Sequence, residues 1–66
     1  MTATKSTVHL QIELTDDQAK SLAQFLKRVG FADFRSNAAN EQEAYAMRDA
    51  VEHVAVALRE AGYEPQ

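Results

Sequence analysis

The chain has 66 residues, ten acidic side chains against seven basic ones for a net charge of −3, and no cysteine. A hydrophobic share of 45% and a charged share of 26% are those of a soluble globular domain, and no run approaches the ~20 apolar residues of a membrane span. These totals exclude disulfides and thiolate metal sites, and the acidic balance works against sequence-independent affinity for nucleic acid, which comes from neutralising phosphates.

The opening MTATKST lacks the apolar core of a signal peptide, so a flexible start over residues 1–6 and a cytoplasmic location are expected. Next, TVHLQIEL alternates apolar and polar residues as a half-buried strand does. Val8, Leu10, Ile12 and Leu14 fall on one side, and Thr7, His9, Gln11 and Glu13 on the other. A strand needs a neighbour for its backbone N–H and C=O groups, and nothing else in the chain repeats this alternation as clearly. A chain this short buries only ~60% of its unfolded surface, so a second copy is the expected neighbour. Pairing across a twofold axis makes Val8, Leu10, Ile12 and Leu14, with Ala50 and Ala57, the expected dimer interface. Two alternatives stand beside it: a partner's strand added to the open edge, or internal pairing with GFADFR at residues 30–35.

A first helix is predicted over residues 16–29. Thr15 and Gln18 form a capping box, Asp16 and Asp17 suit the positive end of the helix dipole, and Ala19, Leu22, Ala23, Phe25, Leu26 and Val29 recur at three- and four-residue spacing. Gly30 is read as a left-handed helix stop, with Phe31 packing back on Leu26. Residues 30–40 read as a connection that holds either a helical turn around Ala32 to Arg35 or the short strand. A second helix is predicted over residues 41–61, opened by an Asn40–Glu43 capping box and ended by Gly62, with a tail over residues 62–66. Ala44, Met47, Val51, Val54, Leu58 and Ala61 make its core stripe, and Ala46, Ala50 and Ala57 flank it.

On the opposite side, Glu41, Tyr45, Asp49, Glu52, Val56 and Glu60 fall within an arc of roughly 100°, with Arg48 beside them. Tyrosine and valine amid charge are the exceptions on a solvent face. They are either covered by residues 31–40 or the termini, or they belong to a docking surface for another protein. Glu41, Tyr45, Arg48, Asp49, Glu52 and Val56 are therefore the expected partner-binding residues. No nucleophile stands beside a base, and Asp49 with His53 one turn on reads as a surface ion pair. No catalytic residue, metal site or cofactor is expected.

The order strand, helix, helix resembles the ribbon-helix-helix repressors and antitoxins, in which two chains pair strands into a ribbon that enters the major groove. The resemblance implies that Thr7, His9 and Gln11 face DNA and that Lys5 meets phosphate, while Glu13 opposes phosphate. A second resemblance, carried by ELTDDQAKSLAQFLKRVGFADFR, EAYAMRDA and ALREAGYEP, is to a small uncharacterised family of short proteins of proteobacteria and mobile elements. That resemblance implies a compact accessory protein with no known reaction, of the kind that includes inhibitors of host defence such as anti-CRISPR proteins. Together these readings predict one α+β domain (β-α-α) over residues 1–66, a homodimer. Its expected function is non-catalytic protein interaction as a regulator or inhibitor, with DNA binding as the alternative.

Overall fold

A computed structural model describes residues 6–64, which hold three helices: α1, Asp16–Arg28; α2, Phe31–Asn37; and α3, Glu41–Glu60. Residues 1–5 of the expected flexible start, Lys5 among them, and the last two residues of the tail lie outside the described residues. Each helix begins where a side chain meets free backbone N–H groups. The Thr15 hydroxyl accepts the Gln18 N–H at 3.1 Å, and Gln18 Oε1 accepts the Thr15 N–H at 2.9 Å. Asn40 Oδ1 accepts the Glu43 N–H at 2.9 Å, while the Glu43 carboxylate reaches past Asn40 to the N–H of Ala39 at 2.6 Å, so the expected box is displaced by one residue.

The two glycines behave differently. Gly62 has φ +99°, and the N–H groups of Gly62 and Tyr63 donate to the carbonyls of Arg59 and Leu58 at 2.9 and 2.8 Å, the paired bonds of a Schellman end. Gly30 instead has φ −118° and opens α2, with its N–H donating to Asp33 Oδ2 at 2.9 Å. The reading of Gly30 as a left-handed stop is corrected: α1 ends at an extended Val29. The chain turns directly into α2.

Among the described residues there is no β-strand, and the fold is all-α rather than α+β. Residues 6–14 form an arm without regular structure whose backbone makes no hydrogen bond to the described residues. The physical reason is the lack of a ladder partner. The internal candidate, residues 30–35, is committed to the start of α2 by the Gly30–Asp33 contact, and alternation alone cannot satisfy backbone groups.

α1 and α3 run antiparallel, the start of one tied to the end of the other by the Tyr63 hydroxyl, which donates to Asp16 Oδ1 at 2.6 Å. Ala19, Ala23 and Leu58 form the buried centre, with Leu22, Leu26 and Tyr63 packed around it, while α2 lies against α3. Of the predicted stripe on α3, Ala44 and Leu58 are buried and Met47 and Val51 half-buried, but Val54 and Ala61 remain exposed. Among the described residues the buried ones are Ala19, Ala23, Ala44 and Leu58, three of them alanines with little apolar area to remove from water.

The result is a flat molecule of 42 × 27 × 14 Å, in which α1 and α2 each pack on α3 and not on one another. Its accessible surface of 5590 Å² exceeds the ~4200 Å² of a compact monomer of 7.3 kDa. The radius of gyration, 13.7 Å, likewise exceeds the ~11 Å of a compact chain of this length. Among the described residues, no helix is long and apolar enough to cross a membrane.

Candidate functional site

A slab of one helical layer presents two broad faces, and the predicted residues divide between them. On the outer side of α3, Tyr45 is half covered. Its ring lies 4.9 Å from that of Phe31, tilted by 39°, and the Arg48 guanidinium stands 5.0 Å from the same ring. Arg48 also pairs with Asp49 at 3.2 Å. The three groups thus hold one another: the ring face attracts the cation, and the neighbouring carboxylate keeps the guanidinium in place. Tyr45 remains 43% exposed and Phe31 37%, so the cluster is still open to a partner.

Glu41 and Glu52 are exposed on α3, and Val56 is half-buried. Glu52 lies away from the ring cluster, beside a shallow groove that Leu26, Lys27 and Arg59 also line. The structure therefore brings Tyr45, Arg48 and Asp49 together and leaves Glu52 and Val56 apart from them. The Asp49–His53 ion pair is replaced by Asp49–Arg48. Phe31, which the sequence pattern places at the end of α1, is the member of the cluster that sequence reasoning missed. The available signal was Asp33 three residues after Gly30, the spacing of a helix start that turns Phe31 toward α3.

The other face is aliphatic. Ile12 and Leu14 of the arm, Leu22 of α1, and Val54 and Ala57 of α3 line a groove of about 260 Å³ with no acidic or basic residue in its wall. Val8 and Leu10, earlier in the arm, are 76% and 81% exposed, and Phe25 on α1 is 59% exposed. All six residues expected at a dimer interface are exposed in the single chain: Val8, Leu10, Ile12, Leu14, Ala50 and Ala57. Phe25 and Val54, core residues by their spacing, also face outward. The apolar arcs of α1 and α3 are wider than the contact between two helices can cover, and that width is readable in the periodicity.

Thr7, His9 and Gln11 are exposed on the arm, where no strand fixes them to a common outward side, so the ribbon expected to present them to DNA lacks its scaffold. The described residues hold no group of three or more histidine, cysteine, aspartate or glutamate side chains placed to bind a metal ion. At the junction of α1 and the C-terminal turn, the Tyr63 hydroxyl and then the Lys20 ammonium, 3.1 Å away, hold the Asp16 carboxyl below its usual range, and Asp16 raises the Tyr63 hydroxyl in turn.

No curated protein and no solved structure matches this chain. A model of a family of unknown function, DUF7706, matches residues 1–66, and the chain belongs to that family.

Proposed function

We propose that this member of a family of unknown function is a non-catalytic protein-binding module, a regulator or inhibitor whose target docks on the outer side of α2 and α3. The observation that carries the reading is the cluster of Phe31, Tyr45 and Arg48, in which two aromatic rings and a guanidinium are already stacked while remaining open to solvent. Aromatic residues and arginine are enriched among the few side chains that dominate binding energy. Side chains held before a partner arrives lose less entropy on docking. The acidic neighbours Glu41 and Asp49 suit a target surface with basic groups at its rim.

The test is capture of a target from the source cell by tagged chain, followed by titration of the captured protein. Tyr45→Ala combined with Glu52→Lys should weaken that binding about 30-fold, the equivalent of ~2 kcal/mol for loss of a hot spot, with helical circular dichroism retained. Undiminished affinity of the double variant refutes the assignment of this face.

A further inference from the structure

The aliphatic face lies on the other side of α3 and goes beyond the reading just given, which does not depend on it. A domain ordinarily packs two layers of secondary structure around one core, and in this chain α1 and α2 each pack on α3 and not on one another, which makes a single layer. We propose that a second copy of the chain supplies the other layer, the two aliphatic faces meeting across a twofold axis with Val8 and Leu10 of each arm laid over the groove of the other. No strand pairing is required.

Three observations select a second copy as the occupant. Each copy has about 1400 Å² of surface in excess of a compact monomer, enough to supply the ~800 Å² per partner that a standard interface buries. The patch is self-complementary in the way a twofold contact demands, because each copy carries both the groove and the exposed apolar arm that continues from its wall. The groove wall, which includes Tyr63, has no aspartate, glutamate, lysine, arginine or histidine, so two chains of net charge −3 can bring these faces together while Glu41, Asp49 and Glu52 stay on the far side of α3.

Light scattering of the full chain from micromolar to submillimolar concentration should give twice the mass of 7.3 kDa. Leu10→Glu and Val54→Glu alter side chains that already face solvent in the single chain, and each should halve the measured mass with helical circular dichroism retained. Glu52→Lys, on the far side, should leave it unchanged. A mass of 7.3 kDa at every concentration overturns the proposal, as does a pair that survives both glutamate variants. Should those variants lose their helix, spin labels decide the matter. The chain has no cysteine, so a label at Ser21→Cys, one turn before Phe25, must lie nearer its copy than a label at Glu52→Cys, and the reverse order overturns the proposal.

Discussion

Phe25 and Phe31 are six residues apart, equal in size, and placed on surfaces of different character. Phe31 has a tyrosine ring for a neighbour and an arginine and carboxylates beyond it, so its exposed edge sits in a polar rim. Phe25 is 59% exposed and lines a groove with Val29, Phe34 and Met47, with Arg28, Asp33 and Asn37 at the same groove. Ile12, Leu14, Leu22, Val54 and Ala57 form the aliphatic groove further along α1 and α3. The comparison shows that apolar exposure has a different cost according to its surroundings. An aromatic group ringed by charge is a tolerable feature of a solvated surface, whereas aliphatic residues joined into one face present water with a continuous apolar patch.

The largest expected effect removes the frame on which both faces depend. Leu58 is the one large side chain buried among the described residues, and Leu58→Ala should cost ~2–5 kcal/mol, comparable with the ~3–10 kcal/mol that holds a domain of this length together. Thermal melting should show a broad, low transition or none. Next, Phe25→Ser should halve the solution mass while target capture by the isolated chain persists. Phe31→Ser should weaken capture and leave the mass alone. If either variant changes both properties, the two faces are one surface.

A smaller effect is expected at Gly62, where a left-handed backbone receives no clash from neighbouring atoms, so Gly62→Ala reads conformational strain alone and should lower stability by ~1 kcal/mol. The smallest concerns pH. Asp16 has a depressed folded-state pKa, so its contribution is complete above the ordinary carboxylate value of 3.8 and is lost as pH falls through the lower folded value. Tyr63 titrates above its ordinary value of 10.0, so its contribution is complete below that value and is lost as pH rises through the raised folded one. Tyr63→Phe should return Asp16 toward its usual range in an NMR titration and flatten the acid limb of stability. An unmoved Asp16 titration would show that Lys20, not Tyr63, holds the carboxylate.

Several local features are legible in the residues themselves. Thr15 with Gln18, Asn40 ahead of α3, and Gly62 after it carry their conformational instructions within three or four residues, and a hydroxyl or amide at a helix start meets its N–H partner whatever the rest of the chain does. Gly30 misleads because a glycine can either close one helix or open the next, and Asp33 settles the choice by accepting its N–H. The cluster at Tyr45 is half legible. Its residues on α3 share a helical face, but Phe31 comes from another element.

The alternation at residues 7–14 marks the deepest division. Residue spacing determines which side chains would share a side if the segment were a strand, and local capping residues mark where α1 and α3 begin. Whether a strand exists depends on hydrogen bonds to a neighbour distant in sequence, and with residues 31–37 folded as α2 the described residues have none to offer. Burial divides in the same way. Periodicity names the apolar stripes of α1 and α3, but only the packing of two helices in one thin layer decides that Leu58 lies inside while Val54, one turn earlier on the same stripe, is left facing water.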